Sequence, residues 1–246
     1  MGNRRGDNML IDTHCHIHDG EYPLSADEAL ARAREAGVER VIVVGACPSD
    51  ARVAQEFAAG REGVFWAYGY HPNEKEEDLE WFFDEKLVSI GEIGLDYHYE
   101  PFDRAAQIRR LEMMLDLAVR KKLAVNFHVR DAFFDFWPIV DGFQLPRGAV
   151  LHSFSDNEEN LKQAIDRGMF VGVNGMVTFT ELPLPPLEWM VLETDAPFLT
   201  PVPFRGKINE PSYVKNIAEK VAAKLQKRLD EVEEITTANA EKLFKF

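Results

Sequence analysis

The sequence predicts an α/β protein folded as a TIM-like (β/α)₈ barrel, and three observations carry that reading. Its 246 residues match one such barrel, which typically runs to about 250. Short runs of β-branched and apolar residues recur along it, separated by segments of helical periodicity. The ends of several of these runs carry His, Glu or Asp, at the face where this fold places its sites.

In chain order the predicted strands are MLIDTH from Met9, RVIVVGA from Arg40, VFWAYGY from Val64, VSIGEI from Val88, LAVNFH from Leu123, AVLHS from Ala149, MFVGVNG from Met169 and WMVLET from Trp189. Helix alternating with strand implies parallel pairing through crossover helices, and eight repeats favour closure over an open, doubly wound sheet. No GxGxxG or Walker loop follows the first strand.

Ser25, with Glu28 three residues later, predicts a capping box for a helix through Ala36 that Gly37 ends. After Pro101, the spacing of Ala105, Ile108, Leu111, Leu115, Ala118 and Val119 marks the apolar stripe of another helix. Between Gly175 and Trp189, Pro183, Pro185 and Pro186 leave little room for a full seventh helix. Pro211 occupies a favoured first helical position, for a helix to about Leu229. A last helix is expected to pack Val232, Ile235, Ala238, Leu243 and Phe244 against the barrel. Residues 1–8 read as an N-terminal extension and residues 9–246 as a single domain.

A composition of 46% hydrophobic and 28% charged residues is that of a soluble globular protein. Asp and Glu number 42 against 28 Lys and Arg, a formal charge of −14, which argues against a broad basic face for nucleic acid. An anionic substrate must then be attracted locally. No apolar h-region follows Arg4 and Arg5, and no run of about 18 apolar residues occurs, so a cytoplasmic protein without membrane association is expected. Cys15 and Cys47 are too few for a disulfide framework and read as packed thiols. No unpaired heptad or long apolar edge calls for a partner chain, and a monomer is expected.

His14 and His16 are two apart, so on a strand both point to one face while Cys15 points to the other. Glu92, His128, His152 and Asp195 end the fourth, fifth, sixth and eighth strands, which brings four histidines and two carboxylates toward one mouth. A lone His on a strand is usually a core or surface residue, and HxH alone is a weak signal. The joint pattern at five strand ends is what points to metal. This donor set suits Zn²⁺ or Mn²⁺, or Mg²⁺ if water and oxygen ligands dominate. Six ligands exceed the need of one tetrahedral ion, so two divalent metal ions bridged by Glu92 are expected. With neutral histidines, two such ions and two carboxylates leave the site positive inside an acidic protein.

The runs IDTHCHIHD, GYHP, GEIGLDY, FHVRDA, LHSFSD, ETDAPFL and RGKINEPSYV resemble, in order and spacing, the motifs of the TatD family of metal-dependent hydrolases. The resemblance extends from about Leu10 to the closing ANAEKLF. It implies an amidohydrolase-like barrel and a deoxyribonuclease that hydrolyses DNA phosphodiester bonds, with DNA single strands or 3′ ends as substrate. It also implies the same six ligands: His14, His16, Glu92, His128, His152 and Asp195. Glu92 stands where related amidohydrolases use a carboxylated lysine, and Lys86 is accordingly expected to be solvated. The segment from Val177 to Leu187 is shorter than the family pattern, and LHSFSD lacks the glycine that commonly follows FS; both leave open the substrate length and the preference between single and double strands.

Phosphodiester hydrolysis needs an activated water and neutralised charge. Asp195 is the expected general base and Glu92 the residue that orients the ions. His71, Arg130 and Arg205 are candidates for contact with phosphate oxygens, and Asp96 for orienting a ligand histidine. Tyr97, His98 and Phe154 are candidate stacking surfaces. The alternative is a metallohydrolase of the same fold acting on a small-molecule ester or amide. Arg130, Arg205 and Lys207 favour phosphate over that alternative.

Overall fold

The computed structural model describes residues 9–75, 77–78 and 82–246. The N-terminal extension over 1–8, with Arg4 and Arg5, lies outside the described residues. All eight expected strands form: β1 (Leu10–Cys15), β2 (Val38–Gly45), β3 (Val64–Tyr70), β4 (Leu87–Asp96), β5 (Ala124–Arg130), β6 (Ala149–Leu151), β7 (Phe170–Val173) and β8 (Met190–Leu192). They pair in parallel in the order β1 to β8. The ring closes where Cys15 bridges Ala196 and the His16 amide donates to Ala196 O at 2.7 Å. Register is unbroken from Val41–Val64 to Gly45–Tyr68. It shifts between Asp12 and Cys15 in β1 and between Ile90 and Ile93 in β4, bracketing His14 and Glu92. Irregularities of this kind gather beside active sites because they re-aim a side chain.

The connections are α1 (Ala26–Glu35), α2 (Pro48–Ala58), α3 (Arg104–Lys121), α4 (Phe133–Val140) and α5 (Glu158–Asp166), with α6 (Val214–Leu225) and α7 (Leu229–Phe244) after β8. Ser25 caps α1 by accepting from the Glu28 amide, as the capping signal predicts. Asp103 does the same for α3 through the Ala106 amide. Between β7 and β8 only two 3₁₀ turns form, Gly175–Thr178 and Leu187–Trp189, in keeping with the prolines there. The helix expected from Pro211 to Leu229 is shorter: a 3₁₀ turn over Pro211–Tyr213 precedes α6, and Gln226 in the left-handed region ends it.

One core layer lies inside the barrel and takes residues from every strand, among them Ile11, Val44, Ala67, Phe170 and Val191. Ala240, Leu243 and Phe244 of α7 join that layer. The larger layer lies between sheet and helices and includes Trp66, Phe127 and Phe136. Each such side chain contributes about 1.5–3 kcal/mol on burial. Cys15 and Cys47 are buried thiols.

Two expectations are corrected. Ala238 is exposed, because the inner face of α7 is partly polar: Asn239 donates to Leu187 O and Met190 O, and Thr237 to Met9 O. Lys86 is not freely solvated, since its ammonium donates to the carbonyls of Ala58, Arg61 and Val64 and ties α2 and the start of β3 to the approach to β4.

Candidate metal centre

The ends of β1 and β8 are locked together by a buried acid. Asp12 accepts from the amides of His14 (3.3 Å) and Thr194 (2.9 Å) and from the Thr194 hydroxyl (2.5 Å). Burial pushes its carboxyl up to about 8, against the pull of those hydrogen bonds. Asp195 follows in the left-handed region at φ 58°, a conformation costing a non-glycine residue about 1–3 kcal/mol. Its amide donates to His14 O at 2.9 Å, fixing the carboxylate beside the His14–His16 pair. On the far side, Gly94 lets β4 close on β5. With φ at 156°, a Cβ there would stand 1.8 Å from His128 O. Gln107 of α3 then clamps the end of β4, accepting from the Asp96 amide (2.8 Å) and donating to its carbonyl (2.9 Å).

The structure brings all six sequence-predicted ligands around the Glu92 carboxylate. Glu92 Oε2 lies 3.5 Å from His14 Nε2 and 3.9 Å from His16 Nε2. Glu92 Oε1 lies 2.6 Å from His128 Nδ1 and 3.7 Å from His152 Nε2. Asp195 Oδ1 stands 3.5 Å from His16 Nε2, 3.8 Å from His14 Nε2 and 4.0 Å from His152 Nε2. The rings of His14 and His152 stack with centroids 3.5 Å apart.

Hydrogen bonds on the outer side of the rings test whether this set fits a cation. His16 Nδ1 is 2.8 Å from Val44 O, and a carbonyl only accepts, so Nδ1 carries a proton and, in the neutral ring, the Nε2 lone pair faces the centre. Asn126 Oδ1 is buried without a partner while Asn126 Nδ2 lies 3.0 Å from His14 Nδ1. Exchanging these isosteric amide atoms lets Oδ1 accept from His14 Nδ1–H and turns the His14 Nε2 lone pair inward too. The two Nε2 atoms are 3.1 Å apart. Two inward lone pairs at that separation repel unless a proton or a metal ion lies between them, so with both rings neutral the residues fit a metal ion.

The charges agree. Burial alone raises the Glu92 carboxyl, but His71, His152, His128 and His14 outweigh it and hold the group well below the usual carboxylate range. Asp195 is lowered in the same way, mainly by the hydrogen bond of His16. Burial and the neighbouring His152 lower His14. His152 is pushed up to about 10, as Glu193 and Glu92 overcome its burial. His128 rises to about 9, where its hydrogen bonds with Asp96 and Glu92 overcome the same burial. His16 is raised as well, because its contacts with Asp195 and Glu92 outweigh burial, so without a metal the positive charge is shared among these three histidines.

The centre opens into a cleft of about 890 Å³ at the C-terminal ends of the strands, the site face of this fold. His71 and Arg130 line it, with His71 Nε2 3.7 Å from Glu92 Oε1. Arg205 and Lys207 are not among its lining residues. The Arg205 guanidinium instead lies 4.0 Å over the Phe179 ring and donates to Thr200 O, and the Lys207 ammonium sits 5.5 Å over Phe204. Asp96 accepts from His128 Nε2 at 3.1 Å, the orienting contact expected of it. Tyr97, His98 and Phe154 do not line the cleft. Tyr97 stacks on Phe102 and donates to Asp135, His98 pairs with Asp131, and Phe154 is buried.

Three groups escaped the sequence reading. Glu193 is buried with Oε1 3.0 Å from His152 Nδ1, a charge contact whose angle is not that of an aligned hydrogen bond. An acid directly after the apolar strand residues Val191 and Leu192 was its only signal. Asn126 stands two residues before His128 on β5 and so on the same face, a spacing that could have found it. Tyr99 and Phe198 line the cleft from loops where exposed aromatics carry no spacing signal.

A family model for TatD-related DNases matches residues 11–245. The Bacillus subtilis protein YabD, named an uncharacterized metal-dependent hydrolase, is 35% identical over 96% of this chain and 99% of its own. The 3′-5′ ssDNA/RNA exonuclease TatD of Cronobacter turicensis is 32% identical over 96% and 97%. The crystal structure of the Escherichia coli TatD homologue YJJV superposes with a TM-score of 0.86 at 28% identity, covering 96% of this chain and 98% of that one. Barrel, strand-end donors and motifs all agree with these likenesses: the chain belongs to the TatD-related DNase family.

Proposed function

We propose that the chain is a divalent-metal-dependent hydrolase that cleaves phosphodiester bonds of DNA, with single strands or 3′ ends as substrate. The observation that carries this reading is the Glu92 carboxylate, whose two oxygens face two different groups of histidines. One ion would be held by His14, His16, Glu92 and Asp195, a second by Glu92, His128 and His152. Such ions, Mg²⁺, Mn²⁺ or Zn²⁺, supply Lewis acidity when bound, lowering the pKa of water and neutralising charge that develops on phosphoryl oxygens.

The side chains do the rest. Asp195, kept ionised and open to the cleft, takes the proton from the attacking water. Glu92 fixes the two halves of the site relative to each other. Arg130 pairs with a phosphate oxygen and His71 donates a hydrogen bond to another. Arg205 acts from outside the cleft lining, steadying the loop through Thr200. We take it to act as a cytoplasmic monomer; among the described residues no helix is long and apolar enough to cross a membrane.

Release of nucleotides from a 3′-labelled single-stranded DNA, with each ion in turn, tests the reading. Activity should vanish with chelator and fall about 10²–10⁴-fold in Asp195→Asn. Among the described residues Arg130 is the cleft's one arginine, against Asp19, Glu21 and Asp50, which favours the second reading of a small neutral ester or amide. Metal-loaded protein that leaves DNA intact with every ion, yet hydrolyses such a compound, would establish that second reading.

A further inference from the structure

Large apolar side chains are exposed at several places, but among the described residues only Tyr99 and Phe198 of these line the cleft, each 61% exposed. Tyr99 follows β4 and Phe198 follows β8. In a ring of eight strands these are four positions apart, so the two rings stand on opposite walls with the carboxylates and histidines between them. Neither ring is buried in the core, and what sets these two apart from the other exposed apolar side chains is their place in the cleft.

The surroundings specify what they would contact. The Arg130 guanidinium lies 5.0 Å from the Tyr99 ring centroid, so a nucleotide stacked on Tyr99 would find a cation for its phosphate beside it. The Phe198 ring stands 6.5 Å from that of His16, close to the opposite side of the centre. Its backbone is held rigidly: the Phe198 amide donates to Asp195 O, and the buried Asn209 amide donates to both Phe198 O and Thr194 O. A platform fixed to the segment that carries Asp195 holds a stacked base in register with the reacting phosphate.

We propose that Tyr99 and Phe198 form a two-walled stacking subsite for unpaired nucleobases, one on each side of the scissile phosphate. Every base offers a π-face, so the subsite tolerates any sequence, but the faces are free only in single strands and frayed ends. It therefore selects single strands over duplex. The proposal rests on the phosphodiesterase reading for its consequence in catalysis, but not for the stacking itself.

The experiment has two arms. In the first, a single-stranded oligonucleotide carrying 2-aminopurine is titrated with protein in chelator, where no cleavage occurs. Stacking should quench the fluorescence, and Tyr99→Ala or Phe198→Ala should weaken binding by about tenfold or more, whereas Tyr99→Phe and Phe198→Trp retain it. In the second, KM is compared for that strand and for an abasic strand of equal length. The alanine variants should raise KM for the base-bearing strand and remove its advantage over the abasic one. Alanine variants that bind and quench like the parent protein, or that weaken both strands equally, overturn the proposal. Ring-dependent quenching without hydrolysis of either strand keeps the subsite and rejects the phosphodiesterase reading instead.

Discussion

His71 shows how a single hydrogen bond assigns a role. Its Nδ1 accepts from the Asn73 amide at 3.2 Å, so the proton of the neutral ring sits on Nε2, which points at Glu92 Oε1. Burial, with the neighbouring His128 cation, pulls the ring down to about 4 against the attraction of Glu92 and Asp96, so it is neutral at physiological pH. A ring whose inward nitrogen carries a proton donates; it does not ligate, although it sits within reach of Asp96 and His128. His71→Ala should therefore lower kcat on DNA about 10–100-fold with bound metal unchanged, as read by metal analysis of the purified protein. His71→Gln should recover part of the loss through its amide donor. Loss of an ion in His71→Ala would make it a ligand instead. The same scale explains why Arg130, Arg205 and Lys207 looked alike in sequence: a cation after a strand is legible, but the Phe179 and Phe204 rings that draw the last two aside are tertiary neighbours.

At the scale of elements, strands were legible because buried parallel strands are nearly continuous apolar runs, from VIVV of β2 to VFWA of β3. Helix ends were legible where a side chain closes them, as at Ser25, and less so where backbone geometry does, as at Gln226. The phase of α7 was misread at Ala238 because its inner face is satisfied by Thr and Asn hydrogen bonds as well as by apolar contact. That helix also sets a clear test. Leu243 and Phe244 belong to the core layer inside the barrel, and neither lines the cleft at the opposite, C-terminal end of the strands. Phe244→Ala should cost about 3–5 kcal/mol. In a domain of this size Tm would fall by about 6–20 °C. Turnover measured well below the transition should be unchanged; a matching loss of kcat would show that this core layer also sets the geometry of the centre.

For the whole molecule, the site was legible as a set of strand ends because the barrel gathers them at one mouth, whatever their separation in sequence. Their protonation was not legible, since it depends on carboxylates such as Glu193 and Asp96 arriving from other strands. This has a consequence for stability. Folded His128 and His152 titrate near 9 and 10, because carboxylate contacts outweigh burial, against about 6.5 in an unfolded chain. A folded pKa raised above the unfolded one contributes stability that is fully present below about pH 6.5 and lost as pH rises through 9 to 10. Metal-free protein should therefore melt at progressively lower temperature from pH 6.5 upward. A divalent ion needs the same imidazoles deprotonated, so its stabilisation grows over that interval. At 100 times its Kd an ion adds about 2.7 kcal/mol, or about 5–10 °C in Tm here. Thermal melts with and without Mn²⁺ should diverge from pH 6 to pH 8.5, the gap widening as the histidines give up their protons. Parallel curves would mean that the cation does not replace those protons, and that the charge on His128 and His152 persists in the loaded site.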